Sequence, residues 1–176
     1  MKTMMKAGAA ALLVTMTATP ALTQQAQPKP GPKPTTAPVV SVPVLSSAGV
    51  AAVMDAAVKV ARDNGWGSSI AVVDNAGRLL AFHRTDGAPI GTIDTATGKA
   101  LTAVMFKAPT AMISQMVSQN AAMATIPGVV AVPGGYPILR DGQVIGAIGV
   151  SGGMAGEDDI IAKAGMAALP AAGGRQ

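Results

Sequence analysis

Glycines at 146, 149, 152 and 153, inside the run Gly142-Gln143-Val144-Ile145-Gly146-Ala147-Ile148-Gly149-Val150-Ser151-Gly152-Gly153, constrain this chain more than any other feature. Glycine removes the side chain where something must come close to the backbone, and a hydrophobic strand standing alone has no need of so many. The run therefore predicts a buried strand pressed by a helix or a ligand and emptying into a loop of bare amides. Glu157-Asp158-Asp159 follow, placing negative charge where it stabilises the first turn of a helix.

The rest of the chain supplies partners for that strand. Ser46 or Ser47 caps a helix over 46–63, with Val50, Val53, Met54 and Ala57 on one stripe and Gly65 as its stop. Strands over 69–74 and 78–84 flank Asn75-Ala76-Gly77, a turn sequence that makes them an antiparallel hairpin. Helices are expected over 93–106 and from Pro109 to 119. A turn at 126–128, a short strand over 129–132 and a bend at 133–137 precede a second hairpin, 138–139 with 143–150, and the last helix runs over 157–169. The order α-ββ-αα-ββ-α describes an antiparallel sheet flanked by helices rather than an alternating βαβ fold.

Residues 1–23 have the layout of a secretory signal peptide, with Lys2 and Lys6 ahead of an apolar run over 7–16. That run is shorter than the roughly 20 residues of a membrane span, and with no cysteine in the chain neither a lipid anchor on cysteine nor a disulfide is expected. The expectation is an exported protein, periplasmic or secreted, without a stable membrane anchor. Residues 24–45 carry Pro28, Pro30, Pro32, Pro34, Pro38 and Pro43 and read as an extended, disordered tether. The domain is expected over 46–170, with 171–176 a flexible tail. Lys2, Lys6, Lys29 and Lys33 account for the net charge of +4, because the nine later basic residues match nine acidic ones. A folded part so nearly neutral, with only Trp66, Phe82, Phe106 and Tyr136 as aromatics, excludes a nucleic-acid binder.

The motifs Ala71-Val72-Val73-Asp74-Asn75-Ala76-Gly77, Arg84-Thr85-Asp86-Gly87-Ala88, Lys99-Ala100-Leu101-Thr102-Ala103, Pro109-Thr110, Pro133-Gly134-Gly135-Tyr136-Pro137-Ile138 and Gly146-Ala147-Ile148-Gly149-Val150-Ser151-Gly152 occur in that order. As an ordered set they resemble the GlcG/HbpS-like haem-binding family, which includes the C-terminal domain of PduO-type corrinoid adenosyltransferases. The resemblance extends over about 50–169. It implies a profilin-like α/β (α+β) fold, higher homo-oligomers, haem as ligand with a corrinoid the lesser expectation, and a link to haem degradation or extracellular haem sensing.

His83, the only histidine, is the one imidazole available to iron; as a residue of the second strand, on the face of Leu79 and Ala81, it is equally a half-buried strand histidine. Arg84 and Lys99 can pair with ligand carboxylates such as haem propionates, with Asp86 positioning them and Thr102 on the same helix face as Lys99; the alternative is a surface ion pair of little worth. Gly134 and Gly135, and Ser151 with Gly152, offer amides and a hydroxyl to an anionic group, or serve tight turns alone. Met112 and Met116 read as core packing. Glu157, Asp158 and Asp159 read as a helix cap rather than a cation site. No Ser/His/Asp arrangement, zinc spacing or phosphate loop occurs. Three functions stay open: an exported oligomeric haem-binding protein, a haem-degrading or small-molecule-transforming enzyme, and an extracytoplasmic partner of a membrane sensor protein. If haem binds, Arg84, Asp86 and Lys99 are expected to outweigh His83.

Overall fold

A computed structural model describes residues 38–154 and 156–169. The chain divides into a unit of residues 1–39 and a compact unit Val40–Gln176. The leader expected at 1–23, most of the tether and the tail at 171–176 lie outside the described residues. Leu45, given to the tether above, is buried in the core one residue ahead of the helix cap.

The elements are α1 (Ser47–Asp63), β1 (Ser69–Asp74), β2 (Leu79–Arg84), α2 (Thr92–Phe106), α3 (Thr110–Gln119), a 3-10 turn (Ala121–Thr125), β3 (Gly135–Arg140), β4 (Gln143–Ser151) and α4 (Glu157–Ala167). The strands form one antiparallel sheet in the order β2-β1-β4-β3, flanked by helices as the residue pattern requires. Ser46 caps α1 by accepting the Gly49 N–H at 3.2 Å.

Because side chains alternate along a strand, the central strands feed two different cores. Ile70 and Val72 of β1, with Ile148 and Val150 of β4, pack under α1 and α4. Ala71, Val73 and Ala147 point the other way and meet Ala96, Ala100 and Ala103 of α2. The fully buried members of this second layer are alanines and one valine, with Phe82 and Val104 at its margin, so α2 lies almost on the backbone of β4. A Cβ at Gly149 would overlap the Ala96 carbonyl oxygen and stand 2.5 Å from the Ala100 nitrogen. At Gly149 the close approach that the sequence predicted is thus made by a helix, while Gly146 lies against the Val73 carbonyl of β1 and Gly152 against Gly67 and Ser68.

Two local readings are corrected. Residues 129–132 form no strand: the Val130 N–H goes to Thr102 Oγ1 at 2.8 Å instead of to a ladder. The strand expected at 138–139 is longer, Gly135–Arg140, and takes in residues 135–137, where a bend was expected. Pro137 is tolerated there because β3 is an edge, paired on one side only. A bulge at Val72/Val73 also breaks the alternation of β2, pairing Ala81 with Val72 and Leu79 with Val73. His83, opposite Ile70, shares its face with Ala81 but not with Leu79.

Candidate functional site

The residues singled out by sequence fall into two places. Lys99, Thr102, Gly134, Gly135, Ser151 and Gly152 gather inside the molecule where α2, β3, β4 and α4 converge. Lys99 is 1% exposed, and its Nζ donates to the Val150 carbonyl at 2.8 Å and to Asp158 Oδ2 at 2.8 Å. Asp158 Oδ1 in turn accepts the Gly153 N–H at 2.9 Å, and Glu157 Oε2 accepts the Met154 N–H at 2.6 Å. Glu157 and Asp158 therefore close the loop ahead of α4, while Asp159 faces Tyr136.

The small residues around Lys99 make room for it. Gly134, at φ +116°, is in a conformation that suits glycine, and a Cβ there would stand 2.7 Å from the Val150 oxygen and 3.1 Å from Lys99 Nζ. Gly135 donates its N–H to Thr110 Oγ1 at 2.9 Å. Thr102 Oγ1 donates to the Gly98 carbonyl at 2.8 Å while receiving the Val130 N–H, which ties the 128–130 loop to α2. Ser151 is buried opposite Ser69, and Gly152 lies against Gly67 and Ser68. Lys99, Thr102 and Gly135 already have protein partners, so they brace loops.

His83, Arg84 and Asp86 sit elsewhere, on the outer strand β2 and the turn after it. Together with Ala61, Arg62, Gly65, Trp66 and Thr85 they line a polar pocket of about 280 Å³. His83 Nε2 faces Arg62 Nη2 at 3.5 Å, too long for a strong hydrogen bond. Arg84 donates from Nε at 3.0 Å and Nη2 at 2.5 Å to the Ala88 carbonyl, which fixes the turn carrying Asp86. Thr85 is buried and locks the turn's start by accepting the Ser68 N–H at 2.7 Å.

The pocket thus combines one imidazole, two guanidiniums and the chain's single tryptophan. Arg62 and Trp66 were not anticipated; the one available signal was a lone tryptophan just after the glycine that stops α1. An imidazole can ligate iron and guanidiniums can pair with carboxylates, so this donor set suits haem. At about 280 Å³ the pocket is below the ~300–1,000 Å³ that encloses a drug-sized ligand, so it does not enclose a whole macrocycle.

A further cluster stands at the opposite edge. Tyr136 of β3 has its pKa raised above 10.0, by burial first and then by the nearby Asp159 charge, while Lys163 Nζ lies 5.5 Å from its ring centre.

Comparison with known proteins identifies relatives of the chain. A family model described as "Haem degrading protein HbpS-like" matches residues 45–167. Protein GlcG of Escherichia coli K12 is 39% identical over 110 residues, covering 61% of this chain and 81% of that protein. A crystal structure of HbpS superposes with a TM-score of 0.73 at 34% identity, covering 76% of this chain and 95% of that one. A crystal structure of a PduOC–haem complex gives a TM-score of 0.68 at 30% identity, covering 72% and 95% respectively.

Proposed function

Since the chain belongs to the HbpS-like haem-degrading protein family, we propose that it binds haem, with the pocket beside β2 as the seat. The observation that carries this reading is that the only imidazole lines one pocket with two arginines and the only tryptophan. His83 would hold the iron through Nε2 in exchange for its long contact with Arg62, leaving Arg62 for a propionate; Arg84 adds positive charge on the other side. Bound haem would supply a redox-active iron. The related PduOC structure, solved with haem, supports the ligand class. In this reading His83 ranks above Lys99, reversing the sequence expectation, because Lys99 is interior and already paired.

The test is a haem titration of the purified chain, followed by the Soret band and by quenching of Trp66 fluorescence. Saturable quenching is expected, with His83→Ala changing the Soret position. Loss of a charged hydrogen bond in Arg62→Ala should weaken binding by about 10- to 150-fold, the equivalent of ~1.5–3 kcal/mol. Unchanged haem spectra in His83→Ala together with unquenched Trp66 would remove the proposal. Biliverdin or released iron in the same titration would identify a haem-degrading enzyme.

Export and self-association complete the reading. Export is supported by Lys2 and Lys6 ahead of the apolar run, and the proline-rich segment would then give reach towards a membrane sensor. N-terminal sequencing of the extracytoplasmic form returning Met1 would exclude it. Self-association is supported by residues 108–139, which contain no charged residue yet expose Met112 and Met116 at 53% and 41%.

A further inference from the structure

Strand β2 is an edge of the sheet, paired among the described residues with β1 alone. Natural edges are blunted by devices such as proline. The other edge, β3, carries Pro137, whereas β2 has no proline and leaves Leu79 and Leu80 exposed, at 53% and 43%. The Thr85 N–H donates to the Ser68 carbonyl at 2.9 Å. Backbone groups alternate along an antiparallel ladder, so Ala81 and His83 also turn theirs towards β1, and Phe82 and Arg84 turn N–H and carbonyl outwards.

An edge of this kind can pair with itself about a two-fold axis. With the axis at Phe82, each Phe82 exchanges both hydrogen bonds with its counterpart. Arg78 and Asp86, exposed and equidistant from Phe82, then stand opposite one another, Arg78 of one copy beside the partner's Asp86. A slip that moves the axis to Ala81 sets Arg78 against the partner's Arg84, and like charges directly opposite disfavour it. We propose that β2 pairs antiparallel with β2 of a second copy of this chain, centred on Phe82. The axis stands perpendicular to the joined sheet, so the two His83 pockets lie side by side on its α1 face, each extended by the neighbouring strand. One strand a side buries less than the ~1,200–2,000 Å² of a stable interface. At micromolar concentration the pair therefore rests on the self-association proposed above, which holds the copies together elsewhere.

Light scattering and cross-linking of the full chain test the pairing. Arg78→Glu should halve the mass of the oligomer, Asp86→Arg should do the same, and Arg78→Glu/Asp86→Arg should restore it. The chain has no cysteine, so introduced thiols report the contact alone. Oxidised Phe82→Cys should give disulfide dimers, since hydrogen-bonded partners have Cα atoms ~5.5 Å apart, within the span of a disulfide. Ala81→Cys mixed with His83→Cys should also cross-link, while neither does so alone. Dimers of Phe82→Cys at millimolar chain in the Met112→Lys/Met116→Lys background would support the β2 pair even where the parent is monomeric at micromolar concentration, a result that refutes the α3 face alone. Absence of disulfide in both Phe82→Cys and the mixture, or cross-linking of Ala81→Cys alone as strong as that of the mixture, would overturn the proposal. So would an unchanged mass in folded Arg78→Glu when the parent is oligomeric.

Discussion

Removing Asp158 should be among the most damaging single changes in the folded unit. In Asp158→Ala the Lys99 ammonium, its side chain 2% exposed, keeps the Val150 carbonyl but loses its counter-charge 2.8 Å away. Breaking a buried pair by deleting one partner costs about 3–5 kcal/mol. The Gly153 N–H loses its acceptor as well. With an unfolding entropy of ~2.1 cal/mol/K per residue over Val40–Gln176, this corresponds to a fall in Tm of about 10–17 °C. Lys99→Met should cost less, because the Asp158 side chain is 14% exposed and retains the Gly153 N–H. The double variant Lys99→Met/Asp158→Ala, with no buried charge left, should be more stable than Asp158→Ala alone. Urea and thermal denaturation followed by circular dichroism measure all three. Low and high salt should give the same ranking, since a pair so buried is little screened. A loss under about 1 kcal/mol in Asp158→Ala, or a double variant losing the sum of both singles, would show that the pair does not act as a unit. Folded Lys99→Met should also keep its affinity for haem, which separates bracing from ligand contact.

Gly149→Ala should destabilise by about 1–3 kcal/mol or more, read as a lower urea midpoint, because the new methyl meets the backbone of α2, which cannot yield as a side chain end can. Tyr136 is the chain's one tyrosine, so tyrosinate absorbance reports it alone: its midpoint should lie above 10.0 and move down in Asp159→Asn. Since the raised value belongs to the folded state, stability is held below pH 10.0 and falls as pH rises through the folded pKa; a midpoint at or below 10.0 would refute the burial argument. Light scattering should find an oligomer at micromolar protein, and Met112→Lys/Met116→Lys should shift it to monomer; a monomeric parent chain would refute the uncharged face as an interface.

Most elements were legible because their signals are local. Ser46 and Gly65 bracket α1, Asn75-Ala76-Gly77 turns β1 into β2, and the acids at 157–159 mark the start of α4. β3 was misplaced because Gly134, Gly135 and Pro137 carry the chemistry of a bend, and only its edge position makes the proline acceptable. The fate of Lys99 was illegible for another reason: its partner is 59 residues away, and a lysine on a helix gives no local sign of burial. Arg84 and Asp86 were grouped with Lys99 and Thr102, but they line the pocket of His83 instead, away from Lys99. Arg62 and Trp66 join them through the approach of the end of α1 to β2, a tertiary contact with no short-range signature.

The unequal layers on the two sides of the sheet set the room available for change. Beneath α1 and α4, isoleucines, valines and leucine interlock, and a substitution there can be absorbed by a neighbour changing rotamer. Beneath α2 the central contacts are alanines, and Gly149 against the helix backbone, with few rotamers to change. Sequence drift can therefore reshape the first side gradually, while the second resists change where α2 rests on backbone. That makes the α1/α4 side the one on which a new ligand preference can be acquired one residue at a time.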